Sequence, residues 1–272
     1  MTARAGRVAI AGSLAVLAGG CLPLPNDRVL TIGAATSLRE SATEIAAAFE
    51  QETGETVRLT FAASGTLRRQ IERDAPIDIF LSADSRAIDA LDPAEIDPKS
   101  RLIFARNCLV VAVPSDPSAE PRLLRDLVEL AEFDRIAIGN PDTVPAGRYA
   151  RVALESAGIY DRLEADGKLV FGEHVRQVLT YAERGEVDAA LVYDTDVRST
   201  AEATIAYRVP NAMTPPIVYE MAAITPTAAD DRAQSFVDFI LSDRAREIFQ
   251  ARGFRRADIE PNCGNRAVQP TH

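Results

Sequence analysis

Thr31-Ile-Gly-Ala-Ala-Thr-Ser-Leu38 reads as a buried strand that runs out into small residues and turns directly into a helix. Thr36 and Ser37 fall at the turn, where the first backbone N–H groups of a helix have no partner within it. Such a corner holds an anion without a cationic side chain, because the free N–H groups and the helix dipole both favour negative charge. The same pattern returns as Leu59-Thr-Phe-Ala-Ala-Ser-Gly-Thr-Leu67. A serine before a helix is ordinarily only a cap. Two such corners, each with a serine at the turn, point to a small oxyanion held between helix ends.

The remaining composition permits this. The chain has 272 residues, enough for one large domain or two lobes, and 47% of them are hydrophobic, enough for real cores. A formal net charge of -10 argues against nucleic acid or an anionic membrane surface as partner. It does not exclude a buried anion, which responds to nearby dipoles more than to screened surface charge.

Residues 1–21 read as a targeting segment. Arg4 and Arg7 supply a basic start, and Val8 to Ala18 is an apolar run too short to span a bilayer. Leu17-Ala-Gly-Gly-Cys21 resembles a bacterial lipoprotein signal, in which the cysteine is lipidated and becomes N-terminal; the leucine stands one place further back than that pattern prefers. Residues 22–27 would then tether the anchor to the fold. Either lipidation or ordinary cleavage makes the protein an exported, periplasmic one. Cys108 lies in an apolar strand and reads as a small buried hydrophobe, whereas Cys263 lies in a polar tail. An oxidising compartment permits a disulfide between them, but their positions do not establish the distance.

Along the chain, Val29 to Gly33, Val57 to Ala62 and Asp78 to Asp84 read as strands, each leading into a helix. This alternation predicts a mostly parallel sheet with helices on both faces. Right-handed crossovers then bring the three corners, with Ser37, Ser64 and Ser82, to one sheet edge. Arg101 to Val113 reads as two extended segments crossing into a second lobe. There, Arg122–Leu130 reads as a short helix, and strands over Arg135–Gly139, Leu169–Phe171 and Asp188–Tyr193 alternate with helices beginning near Pro145 and Val175. Ile217 to Ile224 reads as a strand returning to the first lobe. Asp230 to Arg252 reads as one long helix ended by Gly253, and 257–272 as a loose tail. The expected organisation is lobe 1 from 28–107 with 218–256, and lobe 2 from 108–217.

At family level, Val29 to Phe254 resembles the periplasmic molybdate-binding protein of the ABC-type molybdate importer. The matching pieces are Ala34-Ala-Thr-Ser-Leu38, Phe61-Ala-Ala-Ser-Gly-Thr-Leu67, Ala75-Pro-Ile-Asp-Ile-Phe-Leu-Ser-Ala-Asp84, Val144-Pro-Ala-Gly-Arg-Tyr149, Val175-Arg176, Leu191-Val-Tyr193 and Ile248-Phe-Gln-Ala-Arg-Gly-Phe254. The resemblance implies a two-lobed type II periplasmic-binding fold, α/β in class, that closes on molybdate or tungstate and delivers it to a membrane permease served by a separate ATPase. It implies a monomeric binder with no cofactor and no direct metal ligands, the molybdenum being held as its oxyanion. Residue by residue, it implies hydroxyl donors at Ser37, Ser64 and Tyr193 and backbone N–H donors at Ala146 and Val175, with Cys21 as the lipidated residue. His174 departs from the family, which usually carries an acidic residue there.

The chemistry suits these residue types. Molybdate is a dianion at neutral pH, and its site need only donate hydrogen bonds, as hydroxyls and backbone N–H groups do. Arg39, Arg68, Arg148 and Arg176 lie near the corners, where solvated or lobe-bridging roles compete with an arginine on the anion. Asp78 and Asp84 read as strand-end and cap residues rather than acid–base groups. Other ligands of the same fold remain open: sulfate, phosphate, ferric iron or a polyamine. Iron favours paired tyrosines with carboxylate or histidine, and a polyamine favours an aromatic box, in a chain without tryptophan. A small-ester hydrolase is disfavoured: the histidines are His174 and His272, and no Gly-x-Ser-x-Gly occurs. A purely structural surface lipoprotein would not need facing helix-end corners.

Overall fold

The structure is a computed structural model and describes residues 29–225 and 231–264. The signal segment, Cys21 and the tether lie outside the described residues, as do 265–272 of the expected tail.

β1 (Leu30–Ala35) is buried at every position and ends in a tight turn, Thr36–Leu38, before α1 (Arg39–Thr53). β2 (Val57–Ala62), α2 (Ser64–Ile71), β3 (Ile79–Ser82) and α3 (Arg86–Asp89) continue the alternation. β4 (Leu102–Arg106) leads across to β5 (Leu109–Pro114). Then come α4 (Asp126–Glu129), β6 (Ile136–Gly139), α5 (Pro145–Ser156), α6 (Tyr160–Ala165), β7 (Leu169–Gly172) and α7 (Val175–Glu183). β8 (Ala189–Tyr193), α8 (Asp194–Val197) and β9 (Ala203–Arg208) precede the return through β10 (Val218–Ala223). α9 (Asp231–Ile240), α10 (Asp243–Ala251) and β11 (Arg255–Arg256) follow.

The strands form two sheets, ordered β11-β4-β10-β3-β1-β2 and β7-β6-β8-β5-β9. In the first, β1 pairs in parallel with β2 and β3, placing Gly33 opposite Thr60 and Phe80. In the second, β6 pairs in parallel with β7 and β8. The expected parallel character therefore holds for the half of each sheet that carries the corners. The other halves are antiparallel, because β10 and β5 arrive by direct crossings instead of helical connections. Parallel pairing puts the ends of β1, β2 and β3 on one edge, and those of β6, β7 and β8 on one edge of their sheet.

Apolar strands and helix stripes form the core. Ile32, Ile79 and Phe80 are fully buried in one lobe, and Ile136, Leu179 and Leu191 in the other. Burying each such side chain contributes about 1.5–3 kcal/mol. α6 was not expected. It is short and begins just after Gly158, whose φ is +72°. The region read as one long helix is two: α9 stops at Ile240, and the Ser242 hydroxyl accepts from Ala245 N at 3.2 Å to start α10. A serine with this local option favours a helix start over a helix interior. The helix expected over Arg122–Leu130 shrinks to α4, because Asp126 caps the turn by accepting from Arg122 N and Leu123 N.

Cys108 is not merely a small hydrophobe: it forms a disulfide with Cys263, Cα to Cα 5.5 Å across a separation of 155 residues. The segment up to residue 264 is correspondingly not loose. Arg106 Nε donates to Ala257 O at 2.7 Å, and Asn211 Nδ2 donates to Pro261 O at 2.7 Å. The cross-link thus straps the segment around Cys263 to the place where β4 passes into β5. Closing so long a loop restricts the unfolded chain, so Cys263→Ser is expected to lower stability by about 2–5 kcal/mol in urea titration. A midpoint equal to that of the parent protein would show that the strap adds nothing.

Candidate functional site

The corners are built from local chemistry. β1 ends in Ala34 and Ala35, small enough to bring the Thr36–Leu38 turn close to its neighbours, and Ser37 is only 7% exposed. Ser64 opens α2 and is fully buried. Pro145 starts α5, which suits its fixed φ and missing N–H, and Ala146 follows it in the first turn. Gly147 lets that turn lie on the end of β6, since a Cβ there would stand 1.9 Å from Gly139 O. His174 caps α7 through Nδ1, which accepts from Gln177 N at 3.1 Å, and Val175 is the first helical residue. Ala146 and Val175 therefore carry first-turn N–H groups with no intrahelical acceptor.

Contacts link these positions across the lobes. Gly65 N donates to Thr143 O at 3.0 Å, joining the start of α2 to the loop before α5. A Cβ on Gly65 would lie 2.7 Å from that oxygen, so the approach requires glycine. α7 packs against the Thr36–Leu38 turn. Tyr193, at the end of β8, has ring contacts with Tyr149 at 6.5 Å and Tyr219 at 5.8 Å. The Tyr219 hydroxyl donates to Ser37 Oγ at 3.1 Å. Tyr193 and Ser37 are thereby linked through Tyr219, while Ser64, Ala146 and Val175 stand at the starts of the helices that these contacts bring toward one another.

The serine hydroxyls are held from behind. Ser64 Oγ accepts from Ala83 N at 3.0 Å, and Ser37 Oγ accepts from Tyr219, so each keeps its own O–H as a donor. The Tyr193 hydroxyl is buried and has no hydrogen-bond partner. Burial raises its pKa well above the ordinary tyrosine value, so it remains a donor. An unpartnered polar atom in such a place fits a ligand acceptor. Ser82 does not join them: its hydroxyl donates to Asp84 O at 2.6 Å within its own turn.

None of the four corner arginines is committed to this network as an anion ligand. Arg39 lies over the Phe61 ring at 4.3 Å, and Arg68 pairs with Glu72. Arg148 bridges the lobes to Asp84, its Nε donating at 3.0 Å to Oδ2. Arg176 lies 3.7 Å from Glu40. Asp78 accepts from Thr31 N at 2.7 Å, and Asp84 accepts from Ala87 N at 3.2 Å, as strand-end and cap residues do. Burial, reinforced by Arg39, lowers the His174 pKa, which keeps the imidazole neutral and Nδ1 free to cap α7.

Sequence reasoning missed three residues here. Tyr219 and Asn107 sit beside Ser37, and Asn107 is a polar residue between two apolar strands, the signal that could have singled it out. The third is Asp196, whose Oδ2 accepts from Tyr193 N at 3.0 Å. Burial pushes its pKa up to about 7, against the lowering effects of that bond and of Arg176. Among the described residues, no group of histidine, cysteine, aspartate and glutamate side chains could hold a metal ion. What these positions hold in common is hydrogen-bond donors: hydroxyls at Ser37, Ser64 and Tyr193 and first-turn N–H groups at Ala146 and Val175.

Known proteins share this arrangement of lobes. The chain is 33% identical over 235 residues to the molybdate-binding protein ModA of Escherichia coli, covering 85% of this chain and 90% of that one. It is 32% identical over 227 residues to a Bacillus subtilis protein, YvgL, whose name places it with ABC transporter substrate-binding lipoproteins, covering 83% and 85%. The solved periplasmic molybdate-binding protein of Azotobacter vinelandii superposes with a TM-score of 0.74 at 25% identity, covering 83% of this chain and 98% of that one. These relatives are solute-binding transport proteins of two-lobed form. The family model for bacterial extracellular solute-binding proteins matches residues 30–255, and the chain belongs to that family.

Proposed function

We propose that this protein captures molybdate or tungstate between its lobes outside the cytoplasm and delivers it to an ABC permease. The observation that carries the reading is the buried Tyr193 hydroxyl with no acceptor of its own, beside Tyr219, whose hydroxyl reaches Ser37. In this reading Ser37, Ser64 and Tyr193 donate through hydroxyls, and Ala146 and Val175 through backbone N–H groups. Lobe 1 is 28–107 with 218–256, and lobe 2 is 108–217. Molybdenum enters as its oxyanion and meets no direct protein ligand, no cofactor takes part, and the protein acts as a monomer without catalysis. The nearest approach to a catalytic base, His174, has its Nδ1 engaged in capping α7.

Sulfate is the second reading, since it presents the same charge and the same acceptors. Size alone would separate the two. The molybdate names of the relatives favour the larger ion. The Bacillus relative's name likewise supports anchoring through a lipidated Cys21.

Thermal unfolding with molybdate, tungstate, sulfate and phosphate tests the reading directly. A ligand at about 100 times its dissociation constant adds roughly 2.7 kcal/mol, so molybdate and tungstate should each raise the midpoint. A rise with sulfate alone would transfer the function to that ion. Ser37→Ala and Ser64→Ala should each weaken molybdate binding by about 1–3 kcal/mol in calorimetry, the loss of a hydrogen bond to a charged acceptor. Unchanged affinity in both would remove the proposed site. Because Asp196 titrates near 7 beside the network, its ionised form opposes a dianion. Affinity should therefore fall as pH rises from about 6 to about 8, and Asp196→Asn should flatten that slope. In cells, Cys21→Ala should move the protein from the membrane fraction to the soluble one; retention on membranes would exclude lipidation at Cys21.

A further inference from the structure

The buried path from the lobe crossing to Ser37 carries more than packing. Asn107 lies between β4 and β5, where the chain first crosses between lobes, and is 1% exposed. Its backbone N–H donates to Ile217 O at 3.1 Å, joining the first crossing to the second. Its side-chain orientation is fixed, because Oδ1 accepts from Cys108 N at 2.9 Å. Nδ2 must then face the other way, where it donates to Thr195 Oγ1 at 2.8 Å and to the Tyr219 hydroxyl at 3.3 Å. An amide nitrogen only donates. With that lone pair of Tyr219 taken, its own proton is directed to Ser37 Oγ, 3.1 Å away. Ser37 is left with its hydroxyl proton free.

We propose that Asn107 and Tyr219 are positioning residues that set the direction of the Ser37 hydroxyl, making it a donor toward the bound oxyanion and tying its orientation to the lobe crossing. The inference rests on reading Ser37 as an oxyanion donor. A hydroxyl can donate or accept, and a site for a dianion gains only from the first. Tyr219 is fully buried, and burial raises its pKa well above the ordinary value, so it keeps the proton this chain of bonds requires. Its ring is independently packed on Phe104, Tyr193 and Phe254, with centroids 6.2, 5.8 and 5.1 Å away. Removing the hydroxyl alone therefore leaves the ring held. The chain of bonds also draws on both crossings, Asn107 from the first and Tyr219 from the strand that follows the second, so the direction of the Ser37 proton depends on how the crossings sit.

A double-mutant cycle on the full chain tests this, with molybdate as the probe and calorimetric affinity as the readout. Tyr219→Phe should weaken molybdate about 5- to 100-fold, the range of one charged hydrogen bond. In the Ser37→Ala background the same substitution should change affinity by less than about twofold, because its effect passes through Ser37. Asn107→Asp provides a second variant: its carboxylate accepts the Tyr219 proton, so Ser37 must donate backward, and binding should weaken at least as much as in Tyr219→Phe. Equal weakening by Tyr219→Phe in both backgrounds would overturn the proposal, since a purely structural role survives loss of the serine. Full affinity in Tyr219→Phe would overturn it as well while leaving the Ser37 site intact. Full affinity in Ser37→Ala would remove the site reading itself and the proposal with it.

Discussion

The lobes meet where the Gly65 N–H donates to Thr143 O, and that contact exists only because residue 65 has no side chain. It places the first turn of α2 against the loop that opens α5. The starts of two helices from different lobes are thereby brought together. A methyl group at residue 65 would hold the lobes apart by the width of a contact, and the corners would each face water. The Arg148–Asp84 pair strengthens the same closure from the side. Its worth as an ion pair is modest once desolvation is counted, but its geometry fixes how the lobes align.

A buried dianion is ordinarily matched with cations. Here the nearby guanidinium groups have other partners, and in the proposed site the donors would be hydroxyls and backbone N–H groups. Ala83 N holds Ser64 and Tyr219 holds Ser37. The difference matters for transport. A direct ion pair with the ligand would have to be broken, charge from charge, at each release, whereas fixed dipoles stabilise the anion without a mobile counter-charge to reorganise. The net charge of -10 is no obstacle to this arrangement, because its sources are screened at the surface.

The corners were legible because strand, turn and helix start are written in consecutive residues. Ser37 and Ser64 follow apolar strands directly, and Pro145 marks the start of α5 by its own geometry. What the sequence could not disclose depends on pairs distant along the chain. Asn107 and Tyr219 are 112 positions apart, and neither shows a periodicity that would single it out. The Cys108–Cys263 bridge was left open rather than decided, since composition permits a disulfide but only folding supplies the distance. The break between α9 and α10 was misread for a different reason. The apolar stripe runs through it in phase, and only the serine cap at residue 242 interrupts the backbone.

Tyr193 joins the fold to the task. A phenol buried without a partner costs about 1–3 kcal/mol relative to a satisfied one; in the proposed reading that cost would fall on the closed arrangement, and opening the lobes would return the hydroxyl to water. An acceptor placed at Tyr193 removes that penalty only when the lobes are together. In the proposed reading, binding and closure would then be favoured by the same bond. This is differential affinity for one of two states, the condition under which a ligand shifts a conformational equilibrium. The same logic limits selectivity by charge. On that reading any tetrahedral dianion could accept from Tyr193, so discrimination would fall to size, with the rings of Tyr149 and Tyr219 packed against that of Tyr193.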